Sequence, residues 1–304
     1  MIRQKSFEEA VPTLYLVATP IGNLDEMTPR AIDILNTVDI IAAEDTRNTI
    51  HLLTHFNIKS KLVAHHMHNE KESAKGLLKY LEEGKSVAVV SDAGYPLISD
   101  PGLMVTQLVI EAGYHVVPIS GANAMLNALV ASGLSAQPFL FYGFLKTAIK
   151  DKTKELIECK KYPQTIIFYE APHRLRKTLE VMNEVLGNRK MCLARELTKK
   201  HEEFIRGTIL EIIEIADECK GEMVLVVEGC KEEKEMAMPM PLIHEKVNFY
   251  ISEGCSTNEA IKRVAKEQGM SKNEIYRDYH DQNIGSLKSG VGDKKTDTIK
   301  SLEE

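Results

Sequence analysis

Five short apolar runs, each followed by an amphipathic stretch, constrain the first 120 residues more tightly than any other feature of this chain. They are Thr13–Ala18, Val38–Ala43, Lys61–Ala64, Val87–Val90 and His115–Ile119. Runs this short, bounded by Gly, Pro, Ser and Asp, fit strands better than helices. The stretches between them carry helix signals. Thr28 caps a helix with Pro29 in its first turn, another helix starts near Thr46, and Asn69–Glu83 ends at Gly84. Such alternation predicts an α/β fold with a parallel sheet and helices on both faces.

The fourth run is the most informative, because SVAVVSDAGYPLISDPG (Ser86–Gly102) ends in a twelve-residue loop with two Ser-Asp pairs, two Gly and two Pro. Gly94 and Gly102 let backbone approach a ligand, while Pro96 and Pro101 stiffen the loop. In open α/β sheets ligands sit beyond the carboxyl ends of the strands, where this loop must lie.

A second α/β unit starts near Ser120, with strands predicted at Phe139–Phe144, Thr165–Tyr169, Met191–Glu196 and Met223–Glu228. Its helices are expected near Lys150–Lys160, Pro172–Leu186 and Ile209–Cys219. The expected domains are thus residues 13–119 and 120–230. KEEKEMAMPMP (231–241) reads as a linker. Residues 242–282 then form a small helical, helix-turn-helix-like module, with Ser256-Thr257 capping one helix, Gly269 breaking it and Ser271–Glu274 opening the next. The polar tail, 283–304, is expected to be disordered.

No apolar stretch approaches the roughly 20 residues a membrane span needs, and the N-terminus lacks the pattern of a signal peptide. Five Cys without a CxxC pair argue against a disulfide framework or a zinc site, which predicts a reduced, cytoplasmic protein. His65, His66 and His68 look metal-like, but neighbours on an extended segment point to opposite faces, so no metal is expected. The net charge of −6 hides an asymmetry. Between Lys146 and Arg206 fifteen Lys or Arg stand against nine Asp or Glu, a local charge of +6 that suits an anionic partner.

Four further loops outline a site. Thr19–Asn23 follows the first strand where GxGxxG would stand, yet holds one Gly, and no GxxxxGK[ST] occurs. A cofactor here is therefore a nucleoside without a polyphosphate. Glu44 and Asp45 end the second strand, where they either hold ribose hydroxyls and orient a substrate or cap the next helix and pair with Arg47. Ser120–Ala124 opens a helix with small residues, either for adenosine or for helix packing. Tyr169–Arg174 leads a strand into a helix whose Pro172 start, with Arg174, Arg176 and Lys177, suits a phosphate.

The blocks TPIGNLDEMTPRA, AAEDTR, SDAGYPLISDPG, VVPISGANA, FYEAPHR, ARELTKKHEEFIRG and GEMVLVVEG, in this order, resemble the tetrapyrrole-methylase class of S-adenosylmethionine-dependent methyltransferases. Within that class the likeness is to members that 2′-O-methylate a cytidine of 16S rRNA in the small ribosomal subunit, and it spans about Thr13 to Tyr279. Tyr95 stands where the class has Thr, and Ser120 where it has Pro. The resemblance implies an S-adenosylmethionine cleft between two α/β domains, and a homodimer. Its walls would be Pro20, Ile21 and Gly22; Asp92, Ala93, Gly94, Tyr95 and Pro96 with Ile98, Ser99 and Asp100; Ser120, Gly121, Ala122, Asn123 and Ala124; Tyr169, Glu170 and Ala171; and Val226, Val227 and Glu228.

The implied reaction, attack of a ribose 2′-oxygen on the sulfonium methyl, is helped by a general base. Glu170 is the first candidate, with Asp45, Glu196 and Lys199 behind it. Phosphates would meet Arg174, Arg176, Lys177, Arg195, Lys199 and Lys200. Two other readings compete: a sister enzyme acting on a tetrapyrrole or a modified protein residue, and a non-catalytic RNA-binding assembly factor.

Overall fold

The computed structural model describes residues 3–6, 11–67, 70–231 and 240–288. Its backbone contacts divide into two compact units, one to Cys230 and one from Lys231. The first unit holds two five-stranded sheets.

The five expected strands form the first sheet: β1 (Thr13–Val17), β2 (Ile40–Ala43), β3 (Lys61–Ala64), β4 (Val87–Val90) and β5 (His115–Ile119). They are all parallel, in the order β3-β2-β4-β1-β5. β2 and β4, inside the sheet, are buried along their whole length, as continuous apolar runs between two helical layers should be. The helices α1 (Pro29–Thr37) and α2 (Thr46–His55) put Ala31, Leu35 and Leu53 on one face. On the other, α3 (Glu70–Glu82) and α4 (Leu103–Glu111) bury Leu77, Leu81, Val105 and Val109. Thr28 caps α1 through the Ala31 N–H, with Pro29 in the first turn.

The second sheet comprises β6 (Phe139–Phe144), β7 (Thr165–Glu170), β8 (Lys190–Arg195), β9 (Glu203–Thr208) and β10 (Met223–Val227), in the order β6-β7-β10-β8-β9. Only β6 and β7 run parallel. The edge strand β9 lies beyond the four expected here. Its sequence EFIRGT has no apolar run, because an edge strand tolerates Glu203 and Arg206. The helix α5 (Ala124–Ser132) packs Ala128 and Leu129 on one face, against Ile167, Cys192 and Val224. The other face carries α6 (Ile149–Cys159), α7 (Leu175–Leu186) and α8 (Ile209–Ile215).

The second unit contains α9 (Met240–Ser252), α10 (Thr257–Gln268) and α11 (Lys272–Lys288), around Ile243, Val247, Ile261, Val264 and Ile275. Ser256 and Glu259 form a capping box at α10, and Gly269 ends that helix at φ 60°. Of the expected linker at 231–241, residues 232–239 lie outside the described residues and Met240 already starts α9; the tail from 289 lies outside them as well. α11 itself runs past the expected module boundary at residue 282. No described helix is long and apolar enough to cross a membrane.

Candidate active site

In the first sheet β1 and β2 connect toward β3, whereas β3 and β4 connect toward β5. The loops after β1 and β2 therefore leave on one face and the loop after β4 on the other, which opens a crevice at the carboxyl ends of adjacent strands. Two backbone hydrogen bonds hold it in shape. The Thr19 N–H donates to Gly94 O (2.9 Å), and the Gly94 N–H to Thr19 O (3.0 Å). Gly94 sits at φ +78°, which side-chain-bearing residues rarely adopt. Its neighbours Leu97 and Ser99 also have positive φ, at 72° and 69°. Backbone strain of this sort, about 1–3 kcal/mol per residue, gathers at ligand clamps. Glu70 secures the far end, its Oε1 accepting from the N–H groups of Gly102 and Met104.

The third loop meets the other two through close contacts. A Cβ on Gly121 would stand 2.8 Å from that of Ala18, so only glycine fits. The Gly121 N–H donates to the Tyr95 hydroxyl (3.2 Å), so the tyrosine that departs from the class ties two loops of the crevice together. Tyr95→Phe removes a hydrogen bond whose net worth is about 0.5–1.5 kcal/mol. The dissociation constant for S-adenosylmethionine should rise roughly two- to tenfold in calorimetry. An unchanged constant would mean that the tie plays no part in the bound state.

A cavity of about 370 Å³ lies where these loops face the second sheet. Ile21, the loop residues Asp92 to Tyr95 with Ile98 to Asp100, and Asn123 and Ala124 border it from one side. From the other come Tyr169 to Pro172, Phe144, Leu197 and Glu222 to Val224. Most of the expected cofactor wall is thus brought together. Pro20 and Gly22 line a neighbouring cavity instead, while Pro96 and Ala122 are buried beneath the wall. Ser120 is exposed at the end of β5.

Val226, Val227 and Glu228 need correction. β10 is antiparallel to β7, so Met223 pairs with Glu170 at the cavity while Val227 pairs with Ile166 at the opposite end of the sheet. The wall is the start of this strand, not its end. Strand direction leaves no trace in an apolar run, which explains the error.

The cavity suits the expected cofactor. Backbone from Gly94 approaches it, nothing resembles a diphosphate cradle, and Phe144 and Tyr169 supply aromatic surface with ring centroids 5.5 Å apart. Asp92 and Asp100 line the cavity, where carboxylates would suit a ligand that carries a sulfonium and an ammonium. Asp92 is fixed by the Asp45 N–H (3.2 Å) and the Asn48 side-chain amide (2.9 Å). Asp100 is pushed up to about 7 by burial, by the Glu44 carboxyl to which it is hydrogen-bonded, and by Asp92. Burial and Asp92 likewise raise Glu44.

None of the four expected bases is a free carboxylate at the cavity. Glu170 borders it but is 3% exposed. Its Oε1 accepts from the Ala171 N–H (2.9 Å) and pairs with Arg174 (3.2 Å). Its Oε2 accepts from the Thr178 hydroxyl and lies 3.9 Å from the Lys152 ammonium. Lys152, 2% exposed, also donates to Thr178. This buried group pins the end of β7 to α6 and α7, a positioning role. Asp45 caps α2 and binds Arg47, whose hydrogen bonds hold its carboxyl at about 2. Glu196 is held low by Lys199 and by the Glu222 N–H. Burial works to lower Lys199, but hydrogen bonds to Glu222 and Glu196 overcome it, so the amine keeps its proton.

Several expected phosphate contacts are also committed elsewhere. Arg174 donates to Leu145 O (2.6 Å) besides pairing with Glu170. Arg176 pairs with Asp217 (2.7 Å) and Arg195 with Glu203 (2.5 Å). Lys177 and Lys200 are exposed, as are Lys146, Lys150 and Lys154. Among the described residues no three His, Cys, Asp or Glu side chains gather as a metal site would require.

Residues 13–213 match the tetrapyrrole (corrin/porphyrin) methylases. Ribosomal RNA small subunit methyltransferase I of Bacillus subtilis (strain 168) is 50% identical over 286 residues, covering 91% of this chain and 98% of that protein. Its namesake from Synechocystis is 42% identical, covering 87% and 96%. Among solved structures, diphthine synthase overlays with a TM-score of 0.56 at 10% identity, covering 71% of this chain and 89% of that one. The methyltransferase CobJ gives 0.55 at 19%, covering 72% and 95%. The solved structures speak for the fold and the near relatives for the family: this chain belongs to the tetrapyrrole methylases, as an S-adenosylmethionine-dependent methyltransferase related to ribosomal RNA small subunit methyltransferase I.

Proposed function

We propose that the chain methylates the 2′-oxygen of a cytidine ribose in 16S rRNA of the small ribosomal subunit. The observation that carries this reading is identity of up to 50%, over nearly the whole length, to proteins named for methylating small-subunit rRNA. The cavity adds support, since its carboxylates, aromatic rings and close backbone fit a cationic nucleoside cofactor. When bound, S-adenosylmethionine supplies an electrophilic methyl group.

The chain's own residues do the rest. The clamped loops after β1, β4 and β5 hold the cofactor. Asp100, pushed up to about 7 and hydrogen-bonded to Glu44, can draw a proton from a hydroxyl brought to the cavity. Lys146, Lys150, Lys154, Lys177 and Lys200, exposed in the basic stretch, attract the phosphate backbone. Arg174 and Arg176, already paired, organise the protein instead.

Mass spectrometry of 16S rRNA tests this reading directly. RNA from a strain lacking the protein should lose one 2′-O-methylated cytidine, and purified protein with S-adenosylmethionine should restore it on small subunits. Identical methylation with and without the gene would overturn the proposal.

A further inference from the structure

The loop after β1 is a partition. Ile21 borders the 370 Å³ cavity, while Pro20 and Gly22, on either side of it, border a second cavity of about 270 Å³. One face of α2 closes the second cavity with Asn48, His51 and Leu52, spaced to lie together on a helix. Leu24 adds apolar surface, and Asp92 borders both cavities.

Resting on the functional reading above, we propose that this second cavity seats the target ribonucleoside, turned out of its RNA. Methyl transfer needs the 2′-oxygen held in line with the methyl donor, and a nucleotide turned out of its stack can be fixed that way by seating its base in a pocket of its own. The seat must adjoin the cofactor cavity, and only a thin loop and one carboxylate separate the two. Its volume, about 270 Å³, is of the order that a single nucleoside fills. Pro20, Leu24 and Leu52 offer apolar surface to the faces of a base, and Asn48 and His51 offer polar groups to its edge.

Asn48 also carries a preference between pyrimidines. Its NH₂ group donates to Asp92 Oδ2, an atom that only accepts, and this fixes which end of the amide is which. The carbonyl oxygen is left as the acceptor. An acceptor suits the exocyclic amine of cytosine and opposes the O4 of uracil.

The test uses the full chain, small ribosomal subunits from a strain lacking it, and labelled S-adenosylmethionine. Leu52→Trp fills the seat from its wall. Calorimetry should find S-adenosylmethionine affinity within about twofold of native, while methyl transfer to subunits falls at least a hundredfold. His51→Ala, at an exposed position, should raise the KM for subunits about tenfold and weaken their equilibrium binding alike; it carries the test if Leu52→Trp fails to fold. Asn48→Ala should narrow the preference for subunits with cytidine over those with uridine at the target. Native KM and kcat in a variant that folds and binds the cofactor would overturn the seat. Absence of transfer by the native chain would overturn the functional reading itself.

Discussion

Lys152→Ala should lower the melting temperature of the protein by roughly 6–12 °C. Lys152 is among the largest fully buried side chains, and it shares a buried site with Glu170, Thr178 and Arg174. Removing one partner of a buried ionic group typically costs about 3–5 kcal/mol, because a charge is left without compensation. Arg174 still faces Glu170 after the change, which places the loss near the lower bound. For a unit of this size each kcal/mol moves the midpoint by about 2–4 °C. The double variant Lys152→Met with Glu170→Gln removes both buried charges, leaves Arg174 on the Leu145 carbonyl, and should recover part of the loss. A thermal scan in which Lys152→Ala shifts the midpoint by less than about 2 °C would show the network to be energetically idle.

The affinity for S-adenosylmethionine should climb as pH rises toward 7 and then level off. Asp100, raised to about 7, keeps its proton below that pH in the free protein. A cationic ligand favours the ionised carboxylate, so binding expels the proton, and affinity changes by at most about tenfold per pH unit. The groups facing Asp100 reinforce this: Glu44 at the end of β2, itself influenced by His66, and Asp92 in the same loop. The unliganded fold shows the opposite trend. It binds this proton more tightly than the unfolded chain, so its stability declines as pH rises between about 4 and 7. Calorimetry in buffers of different ionisation enthalpy should register the expelled proton, and Asp100→Asn should abolish both the release and the slope. A native affinity constant from pH 5.5 to 8.5 would sink the assignment.

Much of this was legible from the chain itself. Short apolar runs with capped helices between them mark parallel strands because burial on both faces leaves a continuous signal, which is complete in β2 and β4 and weaker in the edge strands β3 and β5. The loop Ser91–Gly102 announced itself through glycine, proline and acidic residues, and it does border the larger cavity. Strand direction in the second sheet was invisible, which misplaced Val226 to Glu228. β9 was missed because edge strands need no apolar run.

The chemical roles are harder to read from the chain for a different reason. Sequence counts charges without pairing them, so Glu170, Arg174 and Arg176 look available until their partners are known, whereas for Asp45 the alternative of capping α2 and pairing with Arg47 is the one that forms. The raised Asp100 depends on Glu44, which lies far away along the chain and comes close only because β2 and β4 are neighbours. The α2 face with Asn48 and His51 carries no motif at all. Its significance comes from the loop after β1 lying opposite.

That loop has a thermodynamic consequence. Because one short segment and one aspartate form the common boundary of two cavities, a molecule in either cavity alters the wall of the other. Any change this makes in the neighbour's affinity must be returned by the same factor. On the proposed seating of the nucleoside, the spent cofactor, which has lost a methyl group together with the sulfonium charge, should hold this boundary differently, and the affinity for RNA becomes sensitive to which form of the cofactor is bound.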